Sequence, residues 1–340
     1  IMILQMDDNS SFSNIDTIWN GGRSGIVNLG QTCYMATAIQ VISQIDEIKS
    51  LYLDDGYLED INFSKPESKF CKEFSRLLKG MWEENCIVQP VSFRKMLINF
   101  DNIYAGNTQH DLSEALGKIL DLLHIGTSYA ANITYEGNVL NNLDKLMITS
   151  IKTWGSLYDK EYSEILELFY GQYILKINNK STGKTKISYT FDPFNILTLQ
   201  IDDCDNIYKC LDKFVLSETL DDENKISSVI KIWKSPKYLI IQLKRFDGKN
   251  NKDNRFIDYP IKGLNLEKYN TGYDRDDAKY DLISVGIHIG VDNLGHYYAY
   301  TLHKSNWYRF DDSSIFKINE NDIKNKVVNK NAYILIYKKI

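Results

Sequence analysis

The sequence predicts an α+β fold, with a helical first half set against a strand-rich second half. Two observations carry that reading. Up to His124 the apolar residues recur mostly at helical spacing, and from Leu166 onward they alternate as in strands. A third observation bounds the organisation. There is no internal repeat or low-complexity linker, so the 340 residues make one large domain or two ordinary ones.

The elements follow in order. Ile1–Asn20 turns polar and acidic after a few apolar residues, unlike a signal peptide. A chain that begins with Ile reads as part of a longer one. Gly25–Thr32 is rich in turn formers: Gly25, Asn28 and Gly30. Met35, Ala38, Ile39, Ile42 and Ile45 then mark one helical face, with Thr32 as its expected N-cap. Phe70–Leu78 and Ser92–Ile98 are helical in spacing, the second with Pro90 near its start. Leu112, Leu116, Ile119, Leu120 and Leu123 form a further helical stripe. Ala130–Tyr162 is weakly patterned. Strands are expected at Tyr173–Asn178, Thr185–Tyr189 and Asn195–Ile201, with Lys180–Gly183 as a hairpin turn. Ile207–Phe214 reads as a helix and Tyr238–Phe246 as a buried strand with a basic end. Asp247–Arg255 is a polar loop expected to be mobile. Asp281–Ile289, Tyr297–Leu302, Trp307–Phe310 and Ala332–Lys338 read as strands.

Composition narrows the function classes. The residues are 43% hydrophobic and 25% charged, and the net charge is −5. Lys and Arg are dispersed, with no basic tract for nucleic acid. No apolar run is long enough to span a membrane. The five cysteines, Cys33, Cys71, Cys86, Cys204 and Cys210, are odd in number and irregularly spaced. They argue against a disulfide framework and for a reducing compartment. Cys204 and Cys210 read as structural thiols rather than metal ligands.

Cys33 is the residue with chemical promise. It stands at the first turn of a buried helix, after a glycine-bearing loop. Free N–H groups and the helix dipole there favour a thiolate, and the loop can aim backbone N–H groups and the Asn28 amide at an oxyanion. A small buried residue at a helix start would look the same, so placement alone leaves both readings open. A cysteine nucleophile needs a base. Of the five histidines, His110, His124, His288, His296 and His303, the position of His296 is best. It opens a strand after Gly290–Gly295, and the returning strand Trp307–Phe310 brings Asp311, Asp312 or Ser313 opposite or diagonal to it. An acid there would hold the imidazole in the required tautomer. Asp111 and Glu114 share the first turn of the Leu112–Leu123 helix. By themselves they read as ordinary acidic bias at a helix start.

Gly25–Met35 (GIVNLGQTCYM) resembles the cysteine box of the ubiquitin-specific proteases. Tyr280–Gly290 with Gly295–Tyr300 (GHYYAY) resembles their histidine box. Trp307–Asp312 (WYRFDD) continues it, and Ala332–Tyr337 resembles the closing strand. Gln109–Glu114 (QHDLSE) resembles the family's Gln-Gln-Asp-x-Gln-Glu helix start, and Leu239–Phe246 its palm strand. These motifs run in the family's order from residue 25 to 340.

The resemblance implies a papain-like cysteine protease with thumb (about 25–165), fingers (about 166–236) and palm (about 237–340) after an extension at 1–24. It implies Cys33 as nucleophile, His296 as general base and acid, Asp311 as its orienting acid with Asp312 as runner-up, and Asn28 as oxyanion donor. Asp111 and Glu114 fall on the acidic pair that grips the arginines of ubiquitin's tail. Asp247–Arg255 and Val291–Gly295 would border the cleft as blocking loops. The implied partners are ubiquitin and ubiquitinated proteins, with no cofactor, in an intracellular setting, cytoplasmic or nuclear. The chain departs from the family in three places. Both C-x-x-C pairs of the fingers are missing, so no structural zinc is expected. Ser113 and Ala115 replace a glutamine and a larger apolar residue, and Ala36 replaces an asparagine. Two rivals are a catalytically dead ubiquitin binder and a protease for a ubiquitin-like modifier. The complete triad speaks against the first and the acidic pair against the second.

Overall fold

Every residue of helix α1 (Cys33–Ser43) is buried, not only the face marked by the sequence. Its other side carries Ala36, Thr37 and Ser43, small enough for neighbours to close in all round. The polar groups taken inside are paired. Gln40 Nε2 donates to the Ser24 carbonyl at 2.8 Å, and Ser43 Oγ to the Gln40 carbonyl at 3.1 Å.

The computed structural model describes residues 19–134, 137–180, 185–221, 225–248, 251–291 and 295–340. Around α1 stand α2 (Asp46–Leu53), α3 (Tyr57–Asp60), α4 (Ser68–Trp82), α5 (Val91–Phe100) and α6 (Leu112–Gly126). The α6 stripe read from the sequence is wholly buried: Leu112, Leu116, Ile119, Leu120 and Leu123. A two-stranded parallel ladder, β1 (Gly25–Ile26) with β2 (Ile87–Val88), ties the segment before α1 to the end of α4.

The weakly patterned stretch holds α7 (Asn142–Tyr158), which the periodicity does not reveal, followed by α8 (Glu164–Phe169) where strands were expected to begin. Only Ser150, Ile151 and Trp154 of α7 are buried, too narrow a stripe to register as a period. Its start is nevertheless written locally. Asn141 and Asp144 form a reciprocal capping box.

Two sheets follow. A ribbon runs β4–β3–β7–β6, from β3 (Gly171–Asn179), β4 (Lys186–Phe194), β6 (Glu218–Asp221) and β7 (Ile226–Lys234). The expected turn at Lys180–Gly183 falls largely outside the described residues, while Asn179 pairs with Lys186 across it. Between these strands, β5 (Ile196–Gln200) and α9 (Ile207–Phe214) leave the ribbon. β5 pairs in parallel with β8 (Tyr238–Lys244) of the larger sheet. That sheet also takes β9 (Leu264–Asn265), β10 (Lys279–Ile289), β11 (His296–His303), β12 (Asn306–Asp311), β13 (Ser314–Lys317) and β14 (Ala332–Lys339). Its order is β13–β12–β11–β10–β14–β8–β5, with β9 on β10. The short helix α10 (Ile323–Val327) precedes β14.

Strand alternation divides two cores. Tyr238 and Ile240 of β8 face the helices, and Leu239, Ile241 and Leu243 face α9 and α10. α1 packs on β10 and β11 and also on α6, so the first turn of one helix meets the first residue of a strand from the other end of the chain.

Candidate active site

The loop entering α1 is shaped by Asn28. Its Oδ1 accepts from the N–H groups of Gly30 and Thr32, each at 3.1 Å, and its Nδ2 donates to Asp312 Oδ2 at 3.1 Å. Thr32 occupies the N-cap position of α1 but makes no side-chain cap. Its Oγ1 instead accepts from Leu29 N–H at 2.8 Å. The hydroxyl is spent on the loop, so the first N–H groups of α1 keep no side-chain partner at the cap. Arg94 braces the same loop, donating to the carbonyls of Leu29 and Gly106.

The loop is pinned to the end of β12. Ile26 N–H donates to the Asp312 carbonyl at 2.9 Å. A Cβ on Gly25 would lie 2.4 Å from the Ser313 carbonyl oxygen, so only glycine permits this approach.

His296 opens β11, as the sequence indicated. Its Nε2 lies 2.6 Å from Asp311 Oδ1, and the ring also interacts with the Cys33 side chain. The pair is part-shielded, the side chains being 32% and 20% exposed. The Cys33 contact, and after it Asp311, pushes the imidazole up to about 9 against the opposing effect of burial. Arg309 Nη2 donates to the other Asp311 oxygen, and its guanidinium lies 4.3 Å from the Tyr298 ring centroid.

The two acids divide the work. Asp311 takes the histidine. Asp312, at φ +49°, turns back and takes Asn28. Its carboxyl is raised by burial, with Asn28 opposing, and Oδ1 is buried without a partner. His296, Asp311 and Asp312 offer ligand atoms all within 4.8 Å of one another, but His296 is already paired with Asp311, and Asp312 with Asn28.

The other histidines are engaged elsewhere. His124 Nδ1 is 2.7 Å from Ser163 Oγ, and His303 Nδ1 is 2.9 Å from Gln44 Oε1. His110 packs edge-on against Tyr34 and Tyr104. His288 is buried beside Tyr297, and burial with the Lys252 charge pushes it down to about 4.

Asp111 and Glu114 are not an equivalent pair. Asp111 is the N-cap of α6: its Oδ1 accepts from Ser113 N–H at 2.7 Å, Ser113 Oγ at 2.6 Å and Glu114 N–H at 3.2 Å. Its Oδ2 accepts from the Tyr333 hydroxyl. Glu114 is exposed, with its carboxyl raised by partial desolvation and by Asp111.

Of the two loops expected to border the cleft, Asp247–Arg255 is described except for 249–250, and Val291–Gly295 only at its ends. Lys252 Nζ ties the first of them to the end of β10, donating to the His288 carbonyl at 2.5 Å and to the Gly290 carbonyl at 3.4 Å. Sequence reasoning did not single out Gln109. Its Nε2 lies 3.8 Å from Cys33 Sγ, and its Oε1 accepts from Gly295 N–H at 2.9 Å. The signal that could have found it is its place at the head of the Gln109–Glu114 motif, just before the α6 cap. Among the described residues no helix is long and apolar enough to cross a membrane.

The family profile described as "Ubiquitin carboxyl-terminal hydrolase" matches residues 24–337. The chain is 28% identical over 368 residues to ubiquitin carboxyl-terminal hydrolase 4 of Saccharomyces cerevisiae, covering 93% of this chain and 39% of the relative. It is 27% identical over 425 residues to probable ubiquitin carboxyl-terminal hydrolase R319 of Acanthamoeba polyphaga mimivirus, covering 93% and 90%. The chain thus spans about two fifths of the length of the yeast relative. It superposes with a TM-score of 0.72, at 22% identity, on a chain of a SAGA DUB module bound to monoubiquitin, over 94% of this chain and 70% of that one. A SAGA DUB module bound to ubiquitin aldehyde gives 0.71 at the same identity and the same coverage. The likeness shows the fold, the papain-like α+β arrangement expected from the sequence.

Proposed function

The chain belongs to the ubiquitin carboxyl-terminal hydrolase family, and from that premise we propose that it is a thiol hydrolase releasing ubiquitin by cleaving the bond after its C-terminal glycine. The observation that carries the reading is the hydrogen-bonded chain Cys33–His296–Asp311, assembled from the start of α1, the start of β11 and the end of β12.

In this reading Cys33 attacks the glycine carbonyl as thiolate, with His296 holding the proton. The oxyanion is met by the loop before α1 and by the Asn28 amide, whose Nδ2 keeps one proton beyond its bond to Asp312. His296 gives its proton to the leaving lysine amine, producing a thioester, then takes one from the attacking water. Asp311, itself held by Arg309, keeps the ring in register.

Glu114 is the group free to meet a tail arginine. Asp111 contributes through the second lone pair of Oδ2 while holding α6. Thumb, fingers and palm are assigned to about 25–165, 166–236 and 237–340, with β5 and α9 lent to the palm sheet. Ubiquitin and ubiquitinated proteins are the partners.

The test is reaction with ubiquitin bearing a C-terminal thiol-reactive group. A covalent adduct with the wild type and none with Cys33→Ala is expected. No adduct from a folded wild type overturns the proposal.

A further inference from the structure

We infer that Gln109 is a positioning residue of this site, one side chain that spans the nucleophile and the loop of its base and sets their alignment. The inference rests on the thiol-hydrolase reading above. It stands on two contacts of one amide group. Oε1 accepts from Gly295 N–H at 2.9 Å, and Nε2 lies 3.8 Å from Cys33 Sγ.

The orientation of that amide is dictated by chemistry. Gly295 presents an N–H, which can only donate, so the carbonyl end of Gln109 must face it. The NH2 end is then turned to the sulfur. A second donor therefore meets Cys33, besides His296. Hydrogen bonds from two sides favour the thiolate over the thiol and hold it in one rotamer.

Both ends of the span have packed neighbours. Gln109 lies two residues before Asp111, whose side chain caps α6 and accepts from Tyr333 of β14. Gly295 immediately precedes His296 and is pressed on His288: a Cβ there would come within 2.0 Å of His288 Nε2. The Gly295 N–H is thus held in place by packing beneath it. Through Oε1, the start of α6 fixes where β11 begins, and so where the His296 ring hangs. Neither job needs charge, and a carboxylate at this position would repel the thiolate.

The experiment is alkylation of Cys33 by iodoacetamide across pH, in the full chain without ubiquitin, for wild type, Gln109→Leu, Gln109→Asn and Gln109→Glu. Thermal melts of each variant accompany it. Leucine removes both contacts, and asparagine, one methylene shorter, cannot make both. In each, alkylation at neutral pH should slow, about tenfold for leucine. Glutamate, which keeps an acceptor for Gly295 but turns a charge to the sulfur, should slow it further. With a ubiquitin substrate, kcat of Gln109→Leu should fall about tenfold, the lower range for a bond to a charged group, with KM within about twofold.

An alkylation profile of Gln109→Asn superimposing on that of the wild type overturns the inference. So does a rise in KM with kcat unchanged, which would make Gln109 a substrate contact alone. Because alkylation needs no ubiquitin, a failure of the hydrolase reading appears only in the turnover arm.

Discussion

Replacing Cys33 by alanine removes the largest of the influences that keep His296 protonated. In the wild type the sulfur and Asp311 lift the ring from 6.5 to about 9 while burial opposes them. At about 1.4 kcal/mol per pH unit, that preference for imidazolium is worth about 3 kcal/mol. The sulfur supplies the larger share, so Cys33→Ala should lower the midpoint by more than about one pH unit, with Asp311 still holding it above what burial alone would give. The assay is imidazole NMR through a pH titration. His288, pushed down to about 4, is far enough away in pH to be told apart. The same shift has a signature in stability. The folded-state value lies above the unfolded one, so the protonated ring stabilises the fold fully below about pH 6.5, and this is lost as pH rises through about 9. In urea unfolding, the advantage of the wild type over Cys33→Ala should shrink across that window. A midpoint that stays near 9 in the alanine variant refutes the reasoning, because the sulfur would then not be its cause.

Asn28→Ala should lower kcat about 10²–10³-fold, the usual loss for an oxyanion donor, and near-full turnover would remove Asn28 from that role. Asp111→Ala strips the cap from α6 and should cost about 1 kcal/mol in chemical denaturation, whereas Glu114→Ala, on an exposed side chain, should leave stability within about 0.5 kcal/mol and raise KM for ubiquitin substrates. Equal stability losses in the two variants would contradict the division of roles argued above. Gly25→Ala would force its Cβ against the Ser313 backbone and should destabilise by about 1–3 kcal/mol, shifting the Asp311–Asp312 turn and depressing kcat. Dialysis against a metal chelator should leave the melting temperature within about 1 °C, since residues 166–236 lack the paired cysteines of a zinc site.

Much of the site was legible in the sequence because its parts lie at element boundaries. A turn-rich loop before an apolar period put Cys33 at a helix start, and a glycine-flanked loop before a strand put His296 at its head. The α6 stripe and the late strands were legible for the same reason: burial on one face writes a period into the chain. α7 was not, because only three of its residues are buried and its cap is a pair of side chains rather than a period. Which partner a polar side chain takes is decided by tertiary structure. The sequence left Asp311, Asp312 and Ser313 open beside His296. The β11–β12 register and the left-handed turn at Asp312 send one acid to the histidine and the other to Asn28, 284 residues away. Asp111 reads as a surface acid until its helix engages one carboxylate oxygen and Tyr333 the other. Gln109 opens a motif legible in the sequence, but its role was not, since that depends on Gly295, 186 residues on. Local periodicity is a property of neighbours along the chain. The chemistry of this cleft comes from donors and acceptors that become neighbours only when α1 is buried between α6 and the large sheet.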